Sequence, residues 1–485
     1  MKKIRKPVAG WMVFANDAHI DPSMRDDQGR VYPVMGLAEK SARIIETRGY
    51  KVIRFEGKEG IISGPLDDQI QVSNFKRDNI ITDSTKTFKA VDFFNSEKID
   101  FALIYLPGWI YAGHHIQALK QLKVPVIIWA PLVAEGATIC AGAVLHGALD
   151  EAGIDHRIIY SDITNDPEDK RALGELDNYS KAFMVKNILS RSVYGRIGGR
   201  AMGANPARVD FNDWMKIFGI EIEEIDQYNL ILEAQKADEA EVKETYNSIL
   251  KMVKDAPVFD DIFNKAIRIY LGYKKIIEQY NLDFASLKCL FDLSDNYSTA
   301  CLAQSMLNME GFVSCCLAND KGALVMYIMK LLTGEMTFQG DIISVDPVKK
   351  KLILIDDGTA AFNLAQSVNK ICLRSQPTME AAAGGICTKL VAKPGDVTLT
   401  SLHMVKNKYL LHITEGTVED SELDDIISKC KCGWINWPHV FIDMKSDPWK
   451  FLQNIRIEYI IMCYGKLTEQ LIEICRIYDI DYVVS

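Results

Sequence analysis

Short, almost wholly apolar runs alternate with amphipathic stretches over roughly the first 160 residues, and this alternation constrains the fold most. The runs are WMVFAN (11–16), YKVIRFEG (50–57), DFALIYLP (100–107), PVIIWAP (125–131) and HRIIYSD (156–162). A strand that is apolar at consecutive positions needs cover on both faces, as strands of a parallel sheet have. Between the runs, LAEKSARIIETRG, HHIQALKQLK and GAVLHGALDEAG carry helical spacing, and Gly49 and Gly153 stand where helix C-caps belong. Strand and helix in alternation predict a doubly wound α/β domain over residues 1–164. No G-x-G-x-x-G follows the first run, so a dinucleotide is not predicted.

A chain of 485 residues exceeds what one hydrophobic core organises. A second α/β domain is predicted over 165–336, opening with LGELDNYSKAFMVKNILSRS and the strand and turn YGRIGGRAMGANP. The charged stretch from Leu230 to Tyr280 holds no strict heptad and predicts a solvated pair of packing helices. From Thr337 the pattern turns to strands: GDIISVD, KKLILIDD, DVTLTSLHMV and KYLLHITEG, with Pro394-Gly395 and Asn407 as turn signals. Residues 337–485 are therefore expected to form a mainly β domain that closes with a helix and a short strand.

The net charge of −9 opposes nucleic acid or an anionic membrane surface as partner, since both need a positive field. No apolar run approaches the ~20 residues of a membrane-spanning helix. The basic N-terminus, MKKIRKPVAGWMVFAND, resembles a secretory leader only until Asn16 and Asp17, and reads as the entry to a first strand. Eleven cysteines without a leader predict a reducing cytoplasm.

From Ser294 to Asp346 the chain reads SDNYSTACLAQSMLNMEGFVSCCLANDKGALVMYIMKLLTGEMTFQGDIISVD. This stretch, with Tyr194–Gly203 and KPGDVTLTSLHMVKNKYLLHITEG, resembles the L-fucose isomerase and L-arabinose isomerase family, which interconverts aldoses and ketoses at a bound manganese. The resemblance implies two doubly wound α/β domains plus a β-rich, barrel-like C-terminal domain. It also implies a free-sugar substrate, Mn2+ as cofactor, and a homo-oligomer (trimer or hexamer) whose active sites lie between subunits. The family's metal aspartate corresponds to Asp341. Its glutamate falls on Leu317, or on Cys316 if the register slips by one, and its histidine falls on Tyr459. In the glycine-rich segment Ala201 stands where the family has serine, which marks the fold and not the chemistry. An aromatic residue reaching in from a neighbouring subunit corresponds to Trp109, in YLPGWIYAGHH.

Aldose–ketose isomerisation moves a proton or hydride between C2 and C1 while an oxyanion is stabilised. Oxygen ligands suit manganese or magnesium, and Asp341 alone holds such an ion poorly. Asp320, Glu335, Asp356 and Asp357 lie in the same stretch, and a site rebuilt from Asp341 with Asp357 is one reading. An exposed acidic turn at Asp356-Asp357 is the other. Leucine cannot ligate, and a phenol of pKa near ~10 is a poor ligand at neutral pH. Two outcomes follow: an isomerase with a relocated ligand set, or an inactive isomerase fold that binds a sugar or assembles with partners. His114 and His115 read as a helix start, Cys430-x-Cys432 as a surface loop, and Trp434 with Trp437 as packing for the C-terminal barrel.

Overall fold

The structure is a computed structural model that describes residues 5–16, 34–55, 80–132, 137–162, 169–376, 381–430 and 432–485. Asp17, Glu56 and Gly57, which the sequence reading used, lie outside the described residues. The chain divides into two compact units, Arg5–Asn187 and Ile188–Ser485.

In the first unit, β1 (Val8–Phe14), β2 (Lys51–Arg54), β3 (Ile80–Ile81), β4 (Phe101–Tyr105), β5 (Val126–Pro131) and β6 (His156–Ser161) form one parallel sheet. The order is β2-β1-β4-β5-β6, with β3 beside the far end of β1. Each of the five predicted runs is a strand. Helices cover both faces, as the unbroken apolar runs require. Met12, Phe14, Ala102, Ile104 and Ile128 share a buried cluster with Phe94, Leu145 and Leu149 from the helices Ser84–Ser96 and Thr138–Glu151. On the opposite face the Trp11 indole donates to Ser41 of the helix Val34–Thr47 (3.2 Å). The helix Lys170–Leu189 extends this unit past the expected division at 164. Polar contacts tie it down: Tyr50 donates to Asp177 (2.7 Å) and Asn187 to the buried Asp100 (2.8 Å).

The second unit opens with a parallel sheet of β7 (Val193–Ile197), β8 (Glu221–Ile225), β9 (Phe284–Leu287) and β10 (Val313–Cys315), in the order β10-β9-β7-β8. The charged stretch forms helices Gln227–Gln235, Glu239–Leu250 and Asp261–Gln279. At Gly272 a side chain would strike the backbone of Ala234, so glycine lets the first and third of these cross closely.

The β-rich part begins with a strand at Thr337. It contains β11 (Thr337–Asp346), β12 (Lys351–Ile355), the small hairpin β13 (Ile371–Ser375) with β14 (Ile386–Leu390), then β15 (Gly395–Val405), β16 (Lys408–Val418), β17 (His439–Met444), β18 (Tyr459–Tyr464) and β19 (Asp481–Val484). The order β15-β18-β11-β12-β17-β16 is closed by β15 pairing with β16, which makes a six-stranded antiparallel barrel, and β19 joins β16 in parallel. Lys406 and Asn407, both at positive φ, make the two-residue turn between β15 and β16. The helix Thr468–Ile477 and β19 are the predicted closing pair. Among the described residues no helix is long and apolar enough to cross a membrane.

Candidate active site

The strands of the β7–β10 sheet run parallel, so the connections leaving β7, β9 and β10 emerge along one edge, where α/β sheets place their sites. After β10 the chain turns through Leu317 (φ 54°) and Ala318 (φ 51°). Two non-glycine residues in the left-handed region cost about 1–2 kcal/mol each, and the surroundings must hold them there. The Ala318 N–H donates to the Leu287 carbonyl (3.0 Å). Asn319 caps the helix Asp320–Thr333 by accepting from Gly322 N–H (2.9 Å). Its amide donates to Gln339 of β11 (3.0 Å), which also accepts from the Cys315 thiol (2.7 Å). The strained loop is thereby fastened to β11.

Asp341 lies two residues beyond Gln339, on the same face of β11. Tyr459 of β18 stands directly opposite on one side and Ile355 of β12 on the other. The β11–β12 register shifts between Ile342 and Ser344, immediately after Asp341; such bulges re-aim side chains beside sites. Asp356 and Asp357 follow Ile355. Burial first, then the charges of Asp357, Asp356 and Glu458, push the Asp341 carboxyl well above the usual carboxylate range. Leu317 and Tyr459 pack in one buried cluster with Ala201, Cys316 and Ala318. The Cys316 thiol lies 3.8 Å from an Asp357 oxygen, and burial keeps it protonated. The structure thus brings Asp341, Asp357, Leu317 and Tyr459 together.

Neighbouring acids have other employment. Asp356 is not an exposed turn residue: it is buried and accepts from Gly358 N–H (2.7 Å), Thr359 N–H and the Thr359 hydroxyl (2.7 Å), with burial pushing it up to about 6. Gly358, at φ 99°, has no room for a side chain against Cys387 and so forces the turn. Asp320 takes no part in this cluster. It accepts from Arg196 (2.7 Å), Tyr194 (2.6 Å), Arg208 (3.3 Å), Ser286 (3.3 Å) and Val209 N–H (3.2 Å). Glu335 is exposed.

A manganese centre of the family type needs three protein ligands. Leu317 offers none. Burial, then Asp341 and Glu458, hold the Tyr459 phenol above its ordinary value, so it stays protonated. Among the described residues no third His, Cys, Asp or Glu donor joins Asp341 and Asp357 with all ligand atoms within 4.8 Å of one another. The residues present do not fit that centre. What remains is a pair of carboxylates, Asp341 and Asp357, with the Asp341 pKa raised by burial first and by its acidic neighbours second.

Trp109 belongs to the first unit. It follows β4 and is half-buried against that unit's core, and its carbonyl accepts from Asn16 N–H (3.1 Å). His115 is buried on Thr87 (2.8 Å) at a helix start, as predicted. Trp434 and Trp437 stack at 5.6 Å, and the Trp437 indole donates to Gln376 (2.8 Å). Gln376 in turn donates to the Asp357 carbonyl (2.9 Å). Sequence reasoning overlooked Glu458 and Gln376; the adjacency of Glu458 to Tyr459 was the available signal for the first.

No protein-family model matches the chain. It is similar to proteins named sulfoquinovose isomerase: that of Priestia aryabhattai is 21% identical over 415 residues, covering 83% of this chain and 90% of the relative. That of Alkalicoccus urumqiensis is 22% identical over 400 residues, 79% and 85% of the two chains. That of Clostridium sp. (strain MSTE9) is 25% identical over 268 residues, 53% and 59%. A particular likeness to fucose or arabinose isomerases is not among these findings.

Proposed function

We propose that this protein is a carbohydrate isomerase that interconverts the aldose and ketose forms of a free sugar, with a hexose bearing a 6-sulfonate as the first substrate class to test. The observation that carries the reading is the Asp341–Asp357 pair on the barrel, beside the loop that leaves β10. One carboxylate removes the proton from C2 and returns it to C1. The other, carrying a proton, passes it between O1 and O2, so the enediol forms and collapses with atoms and charge conserved. Burial together with like-charged neighbours raises the Asp341 pKa and favours this division of labour. The name of the relatives supports the sulfonate, and the loops on the edge where β7, β9 and β10 end carry two cations suited to it, the exposed Arg200 after β7 and Lys288 after β9.

A homo-oligomer in which Trp109 completes a neighbour's pocket, and a cytoplasmic location, belong to the same proposal; all eleven cysteines are free, as a reducing compartment allows. The apolar packing of Leu317 against Tyr459 favours a second reading, an isomerase fold without turnover that retains a sugar pocket. Incubating the purified protein with 6-sulfonated glucose, glucose, fucose and arabinose, with and without added manganese, separates the two. Ketose formation from the sulfonated sugar supports the first. Binding without conversion of any sugar supports the second.

A further inference from the structure

We infer that Cys430, Cys432 and His439 form a second, separate site that takes one Zn2+-class ion, a borderline-soft d10 cation bound by two thiolates and an imidazole. The expected surface loop is only partly one. Cys430 caps the helix Asp425–Lys429 and is buried, while Cys432 is half-buried. Strand alternation places Val440 and Ile442 in the barrel core, which turns His439 and Phe441 outward, beneath the segment that carries the cysteines. The two sulfurs and an imidazole nitrogen lie within 4.8 Å of one another.

His439 supplies the independent observation. It is wholly buried, and its backbone is fixed by pairing with Ile355 and by accepting from Ala392 N–H (3.1 Å). Its Nδ1 lies 2.8 Å from the Trp437 carbonyl, which can only accept, so Nδ1 carries the proton and Nε2 presents a lone pair. That Nε2 has no hydrogen-bond partner among the described residues, and a buried orphan of this kind calls for an occupant. A ring whose other nitrogen donates to a backbone carbonyl is the usual arrangement of a metal-bound histidine.

The donor chemistry selects the ion. Two sulfurs and one nitrogen suit zinc, with Zn–S of about 2.3 Å and Zn–N of about 2.0 Å. The sulfurs, now 2.6 Å apart, open to about 3.7 Å around a tetrahedral ion. Binding releases two thiol protons: two thiols, one neutral imidazole and M2+ give the neutral dithiolate complex and two H+. Cys430 and Cys432 also line a groove of about 690 Å3 with Phe441 and Lys351. No ligand is shared with Asp341 or Asp357.

The test is titration of the reduced, full-length protein with Co2+, then displacement by Zn2+. We expect one Co2+ per chain, with a near-ultraviolet thiolate-to-cobalt band that carboxylates cannot produce and the visible bands of a tetrahedral ion. Zn2+ should abolish both. Cys432→Ser, which changes the more exposed sulfur, should weaken binding at least about 10–100-fold, and Cys430→Ser/Cys432→Ser should remove the band while Asp341→Asn leaves it intact. Absence of the band in the wild type, or its persistence in the double variant, overturns the site. So does loss of two titratable thiols per chain in air with Zn2+ present, which would mark the cysteines as a disulfide pair.

Discussion

Asp320 and Asp341 lie in the same compact unit, twenty-one residues apart, in opposite electrostatic worlds. Asp320 sits at a helix start, wholly buried, and Arg196, Arg208, Tyr194, Ser286 and a backbone N–H all point at it. Asp341 faces Asp357, Asp356 and Glu458, and the side chains beside it are a leucine, a phenol and a thiol. The first carboxylate is saturated with donors and serves the fold. The second is opposed by its surroundings, a condition that folding alone does not favour and that clusters at sites of chemistry.

The largest expected effect sharpens that contrast. Asp320→Ala leaves Arg196, 5% exposed, without its buried partner and should cost about 3–5 kcal/mol in denaturant unfolding. A loss under about 1 kcal/mol would break the comparison from the Asp320 side. Asp341→Asn should leave the fold intact and lower turnover of a converted sugar by about 10²–10⁴-fold, read as kcat. Leu317→Glu adds a carboxylate to an acidic pocket. It should lower stability by about 1–3 kcal/mol in metal-free buffer, recovered by millimolar manganese if the added oxygen completes a ligand set with Asp341.

The smallest effect runs in the opposite direction. A carboxyl whose folded-state pKa is raised is destabilising once the unfolded chain has released its proton, so its cost appears above the unfolded value of about 4 and grows with pH up to the folded value. Asp341→Asn should therefore raise stability at pH 8, with no gain below about pH 4. Asp356, pushed up to about 6, confines its own contribution to the range from about 4 to 6, where wild-type stability falls as pH rises. Denaturant midpoints of both chains across this range check the sign.

Much of the architecture was legible because it rests on local pattern. Runs apolar on both faces announced the first parallel sheet, and the change at Thr337 announced the β-rich part. The helix Ser84–Ser96 escaped notice although Asp83 caps it by accepting from Lys86 N–H (2.9 Å), a signal the sequence does carry. Closure of the barrel was not legible, since Thr337 pairs with Cys463 across most of the domain. Asp341, Leu317 and Tyr459 were named from resemblance and Asp357 from its place in the same stretch, and their convergence depends on three strands meeting. Asp320 stood only as one of several acids in the stretch, because nothing in LANDKGAL reveals the arginines that reach it. Cys430-x-Cys432 was read without His439, whose burial and bare nitrogen appear only in three dimensions.

The central claim is that the Asp341–Asp357 pair moves a proton on a sugar. Proton NMR of 6-sulfonated glucose incubated in D2O with metal-stripped protein tests it most directly. The account predicts ketose formation with solvent deuterium entering at the transferred carbon position, and loss of both with Asp341→Asn. No turnover by the wild type, or equal deuterium incorporation by wild type and Asp341→Asn, would contradict it.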